Sequence, residues 1–253
     1  MFWTEQYLWL VPLGFAVGTL GTLIGAGGGF ILTPVLLVLY PQANPETITC
    51  ISLAVVFFNA LSGSVAYARM KRIDYRSGML FAVAAVPGAV LGALTTNLIP
   101  RNLFNGIFGT LMMAAAGYLM FYPSETSPPK EMRVTSGARH RRRNIVEANG
   151  TVHVFYSDTR LGVMLSVFVG YLSSLLGIGG GIVHVPALVR LLNFPVHIAT
   201  ATSHFILAIM ALTGTLVHIA SGSFSHGGTH RTAYLTIGRS EERRVGKECR
   251  SRW

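Results

Sequence analysis

Six stretches of this 253-residue chain contain no Asp, Glu, Lys or Arg: residues 6–45, 47–68, 77–100, 102–124, 161–189 and 191–230. A helix that crosses the hydrocarbon core of a bilayer needs about 20 mostly apolar residues, and most of these stretches supply one. Only 12% of the residues are charged, about half the fraction in an ordinary soluble domain. So few charges cannot cover a water-facing surface of this size. A buried soluble helix could imitate one such run, but five could not share one small core. The sequence therefore specifies an all-α integral membrane protein, a polytopic helical bundle.

The net charge of +10 would point to nucleic acid in a soluble protein. Here the excess lies in Arg69 to Arg76, Lys130 to Arg160 and the C-terminal tail, as expected of membrane-protein loops on the cytoplasmic side. No aromatic side chains interleave with these bases as on a nucleic-acid surface, so nucleic acid is excluded as a partner. The two cysteines, Cys50 and Cys249, give no disulfide framework. The N-terminus lacks a basic n-region, so no cleaved signal peptide is expected.

The first apolar stretch, Tyr7 to Tyr40, is too long for one ordinary span and is interrupted by Gly25-Ala26-Gly27-Gly28-Gly29. Each glycine costs a helix about 1 kcal/mol relative to alanine, so four within five residues predict a break. The expected helices are 7–24, 30–40, 47–68, 78–99, 103–122, 161–176, 182–193 and 198–220, with a second break at Gly177 to Gly181. Residues 1–122 form a first transmembrane unit, 123–160 a polar basic linker, and 161–238 a second unit that lacks counterparts of 78–99 and 103–122. Residues 239–253 hold nine charges in fifteen positions and read as foreign text joined to the chain, expected to pack against nothing.

An internal repeat organises the two units. At a shift of 152, Val17 to Leu39 falls on Val169 to Leu191 with eleven identities in twenty-three positions, including Gly25/Gly177, Gly27/Gly179, Gly28/Gly180, Gly29/Gly181 and Pro34/Pro186. At a shift of 151 the match continues through Thr49/Thr200, Ser52/Ser203, Ala60/Ala211 and Gly63/Gly214.

Non-helical backbone at membrane depth is tolerated only inside protein or along a watery cavity. Each break exposes unpaired N–H groups at the start of the following half-helix, where the helix dipole favours an anion. Carriers built from paired repeats bind substrate where two broken helices meet near the midplane. The competing reading is close helix packing through small residues. The candidate substrate-binding residues are Gly25, Gly27, Gly28, Gly29, Gly177, Gly179, Gly180 and Gly181, with the hydroxyls of Thr49, Ser52, Thr200 and Ser203 early in the helix after each break. Thr202 belongs to the same group. These hydroxyls, like Asn59, serve either an anion or interhelical hydrogen bonds. His184, His197, His204 and His218 match no metal-ligand spacing and have no carboxylate among them, so no metal and no cofactor is expected. His204, beside the hydroxyls, is the candidate for proton coupling. No nucleophile–base–acid arrangement is readable, so no enzyme is expected.

The paired Gly-x-Gly-Gly-Gly-(x)4-Pro motifs, with Ala-Thr-Ala-Thr-Ser-His at 199–204, resemble the sulfite exporter TauE/SafE family of membrane permeases over residues 7–122 and 161–238. The resemblance implies a multi-pass carrier in the cytoplasmic membrane for sulfite, sulfonates or related small organic anions, with the glycines of both motifs at its site. An anion channel and a membrane-embedded histidine or metal protein are the alternatives. Two spans separate the basic segments 69–76 and 123–160, which therefore share one face, expected to be cytoplasmic. If the broken segment 7–40 enters and returns, the N-terminus lies outside and the repeat is inverted.

Overall fold

The computed structural model describes residues 10–121, 140–148, 150 and 152–222. The tail 239–253, with Cys249, lies outside the described residues. Eight helices follow in order: α1 (Leu10–Ile24), α2 (Gly29–Leu39), α3 (Pro45–Arg69), α4 (Tyr75–Thr96), α5 (Arg101–Phe121), α6 (Thr159–Leu176), α7 (Gly181–Leu191) and α8 (Val196–Ala220). Four of them, α3, α4, α6 and α8, are long and apolar enough to cross a membrane. Every helix expected from the sequence is present, with ends shifted by at most a few residues.

Local chemistry sets the ends. Pro45 opens α3, where its missing N–H is not needed. Asp74 caps α4 by accepting from the Ser77 backbone N–H at 3.3 Å and the Ser77 hydroxyl at 2.6 Å. Asp158 caps α6 through the N–H groups of Arg160 and Leu161. At the far end of α2, Arg101 donates to the carbonyls of Leu37, Tyr40 and Ala43. It thereby satisfies a helix C-terminus and ties the start of α5 to it.

Within the polar linker the chain forms an antiparallel hairpin, β1 (His140–Val146) with β2 (Val152–Asp158), His140 opposite Asp158 and Val146 opposite Val152. Its turn docks on the loop after α3. Arg72 pairs with Glu147 at 3.0 Å, and the Ala148 N–H donates to the Met70 carbonyl.

Helices α3 and α8 pack side by side and antiparallel. Glu46 near the start of α3 reaches Ser221 just past the end of α8, Cys50 meets Thr215, and Gly63 abuts His204. The stretch α6–break–α7 folds back on itself, since Gly162 near its start lies against Leu192 at its end. It opens on the side where α8 begins. Helix α4 covers α6 through small residues. A Cβ on Gly88, Gly92 or Gly170 would run into the carbonyls of Val167, Tyr171 and Ala85 respectively, the close backbone approach that membrane helix pairs use. On α5, Phe104 and Phe108 pack over Leu175, Leu176 and Ile178.

Candidate functional site

Both glycine breaks adopt the same backbone. Positive φ occurs at Gly25, Gly27 and Gly28 (81°, 74° and 85°) and at Gly177, Gly179 and Gly180 (70°, 81° and 71°). Gly28 and Gly180 are the N-caps of α2 and α7 in the left-handed region. There a side chain is strained. Gly29 and Gly181 are glycine for another reason. A Cβ on Gly29 would lie 2.7 Å from the Gly177 carbonyl oxygen, and one on Gly181 would collide with the Gly25 carbonyl. The two breaks therefore lie directly against each other, each half-helix starting on the carbonyl that ends the opposite helix.

Among the described residues, the N–H groups of Gly29, Phe30 and Ile182 make no hydrogen bond, whereas that of Gly181 bonds to the Gly179 carbonyl. The space between the breaks is filled by apolar side chains. Val56 of α3 touches the positions of Gly27, Gly29 and Gly179, and Leu207 of α8 touches that of Gly27. A cavity of about 350 Å³ lies elsewhere, between α5 and the α6–α7 hairpin, lined by apolar residues such as Leu111, Ala115, Leu165 and Val183.

The candidate hydroxyls divide into two groups. Ser52 donates to the Gly177 carbonyl at 2.7 Å, and the Thr33 hydroxyl lies 2.9 Å from both that carbonyl and Ser52 Oγ. Ser52 thus holds the second break in place. By contrast Thr49 Oγ1 and Ser203 Oγ are buried without a hydrogen-bond partner. Thr49 and Thr200 sit against Gly177 and Gly25, one at each break. Thr202 accepts from the Asp74 N–H and so belongs to the start of α4. Asn59 donates to the Gly27 carbonyl at 3.2 Å and accepts from Thr22 at 3.1 Å, which makes it part of the scaffold of the first break.

The histidines do not converge. His204 is buried on α8, with Nδ1 3.2 Å from the Thr200 carbonyl, Nε2 without a partner, and Tyr67 packed edge-on at 5.4 Å between ring centroids. His184 faces Ser166 at 3.4 Å, His218 lies near the other end of α8, and His197 is exposed. Among the described residues no three His, Cys, Asp or Glu side chains come together to hold a metal. Sequence reasoning missed Thr33, Tyr67 and Arg101. For Thr33 a signal existed: a hydroxyl between the glycines and Pro34, where the second copy has Val185.

Comparison with known proteins matches residues 10–237 to a family described as Sulfite exporter TauE/SafE. A probable membrane transporter protein of Bacillus subtilis, YunE, is 33% identical over 86% of this chain and 80% of its own length. One from Methanocaldococcus jannaschii, MJ0441, is 26% identical over 92% of this chain and 80% of its own. One from Xylella fastidiosa (strain 9a5c) is 29% identical over 81% of this chain and 69% of its own. No solved structure matches.

Proposed function

We propose, from the premise that this chain belongs to the sulfite exporter TauE/SafE family of membrane transporters, that it carries a small anion such as sulfite, a sulfonate or a related organic anion across the cytoplasmic membrane. The observation that carries the reading is the meeting of the two glycine breaks. There, half-helix N-terminal N–H groups make no hydrogen bond and Thr49 sits against Gly177 with its hydroxyl unpartnered, while Ser203, which corresponds to Ser52, has a buried hydroxyl that is unpartnered too. Helix N-termini attract anions, and hydroxyls can donate to one while nothing else claims them. The eight glycines of the breaks let the backbone approach the ligand, with Thr200 beside Gly25 and Ser52 securing the second break.

Val56 and Leu207 fill the crossing, which supports alternating access over an open pore. His204 is the coupling group of this reading, its Nε2 buried and unpartnered one turn from Thr200. The basic segments face the cytoplasm, so the α1–α2 hairpin enters from outside and the α6–α7 hairpin from inside, an inverted pair.

The test is flux in proteoliposomes for a panel of sulfur oxyanions and organic acids, with Thr49→Val and Ser203→Ala beside the parent. Neither change removes a hydrogen bond, so folded yield should hold while anion flux falls at least about tenfold, the loss of a charge-assisted donor. Parental flux in both well-folded variants would rule the site out.

A further inference from the structure

The end of the α3–α8 seam farthest from the basic segments holds polar side chains that the glycine breaks do not use. Glu46 lies in the first turn of α3 and His218 in the last turn of α8. The His218 ring is buried, and its two nitrogens face different helices. Nε2 lies 3.1 Å from the Ser174 carbonyl of α6, and Nδ1 lies 4.0 Å from Glu46 Oε1. The Ser221 hydroxyl stands 3.1 Å from the same carboxylate oxygen and 3.0 Å from the His218 carbonyl. One turn along α3, Cys50 Sγ is 4.0 Å from the Thr215 carbonyl.

Among the described residues the titratable group facing the ring is Glu46, with Cys50 one turn further along α3. Helix α6 presents Ser174 there. Helix α4 ends beside Leu175 with Thr95, Thr96 and Asn97, none of them ionisable.

A carbonyl only accepts, so Nε2 carries the hydrogen. In the neutral ring Nδ1 then turns a lone pair toward a carboxylate, and the contact contributes no attraction. A proton on Nδ1 converts the same contact into an N–H⁺···O⁻ pair, while the bond to Ser174 stays as it is. We infer that Glu46 and His218 form a proton-binding site which fastens α3, α6 and α8 together at this end when loaded and loosens them when empty.

The position corresponding to His218 in the first unit is Tyr67, whose hydroxyl lies 3.4 Å from the Thr22 carbonyl, and Thr22 corresponds to Ser174. The same carbonyl is therefore held at both ends of the seam, by a phenol at one and by an imidazole backed by a carboxylate at the other. Only imidazole ordinarily changes charge between about pH 5 and 8, so the device works at one end alone. It is separate from the anion reading and does not require it.

Cys50 reports on this seam, because it is buried between α3 and α8 beside the pair. The experiment measures its labelling by a water-soluble methanethiosulfonate in lipid nanodiscs, where both faces are open, in a Cys249→Ser background and without any candidate substrate. His218→Gln keeps a donor for the Ser174 carbonyl but does not titrate, and it supplies the intrinsic pH dependence of the thiol. The ratio of the parent rate to that of His218→Gln should fall about tenfold between about pH 8 and about pH 5.5. Glu46→Gln keeps an acceptor for Ser221 and removes the charge; it should lose the same acid protection, and the double variant should lose no more than either single one. A parent ratio that stays flat between these pH values overturns the inference, and so does a ratio that still falls tenfold when Glu46→Gln takes the parent's place. Anion flux plays no part in the readout, so the outcome stands apart from that of the Thr49 and Ser203 test.

Discussion

Residues 17–39 and 169–191 share eleven identities and the same glycine φ pattern, yet the polar atoms around the two breaks are disposed differently. In the first unit most are engaged, the Thr49 hydroxyl excepted. Ser52 and Thr33 hold the Gly177 carbonyl, and Asn59 holds that of Gly27. In the second unit Val185 stands where the first has Thr33, Met210 where it has Asn59, and the hydroxyl of Ser203, opposite Ser52, finds no partner. The glycines set a common backbone, and the first unit supplies the side chains that stabilise both breaks. The hydroxyls left outside this scaffold are Thr49 of the first unit and Ser203 of the second.

The helices before the breaks differ as well. Helix α6 lies under α4, whereas among the described residues the matching surface of α1 is uncovered: Phe15 is 78% exposed, and nothing lies within 4 Å of where a Gly14 side chain would start. This contrast gives the largest expected effect. Gly170 and Gly18 are corresponding residues. A methyl on Gly170 would be driven into the Ala85 carbonyl, whereas one on Gly18 meets only Asn59, at 3.4 Å. Overpacking against backbone costs about 1–3 kcal/mol, and a rigid helix pair puts Gly170→Ala near the top of that range. Gly18→Ala should be neutral or stabilise by up to about 1 kcal/mol through helix propensity. Monodisperse yield in detergent measures both, and equal yields would remove the asymmetry.

Ser52 and Ser203 sharpen the comparison at the next level. Ser52→Ala takes one of two hydroxyls from the Gly177 carbonyl, and at roughly 1–2 kcal/mol the loss should show as lowered thermal stability. Ser203→Ala removes a hydroxyl that bonds to nothing, so stability should hold or rise slightly. Melting of the purified variants separates the two. A matching loss in both would mean that Ser203 has a structural partner after all.

The sequence made the helices and breaks legible because each rests on a local property. An uncharged run marks a span, and glycine clusters cannot propagate a helix. Even the one-residue change of shift finds its place, in the connection that spans residues 40–44 after α2 but only 192–195 after α7. What local text does not encode is which carbonyl a distant hydroxyl will meet. Ser52 and Ser203 look alike as sequence, yet Ser52 meets the Gly177 carbonyl and Ser203 Oγ meets no partner. Arg101 stands alone between two uncharged stretches, and its use depends on the end of α2 lying within reach. The hairpin at 140–158 joins strands through backbone pairing across a turn; Asn149-Gly150 and the β-forming residues Val152, Val154 and Tyr156 are its signals, overshadowed by the arginine-rich text of β1.

The smallest expected effect comes from exchanging one scaffold residue for its counterpart. Asn59→Met gives the first unit the side chain that the second has at position 210. The Thr22 hydroxyl keeps its bond to the Gly18 carbonyl at 2.9 Å, so losing Asn59 Oδ1 as an acceptor costs it little. The Gly27 carbonyl loses the Asn59 amide, and one interhelical hydrogen bond in a membrane protein averages about 0.6 kcal/mol. The folded fraction should therefore shift by roughly threefold, visible in a chemical-denaturation midpoint while yield stays close to normal. Methionine is flexible enough to pack against Gly27 as Met210 packs against Gly180, where its methyl lies 3.0 Å from the place a Cβ would take. If Asn59→Met instead abolishes flux at full stability, then Asn59 faces the substrate rather than the scaffold, and the division of labour between the two units is drawn in the wrong place.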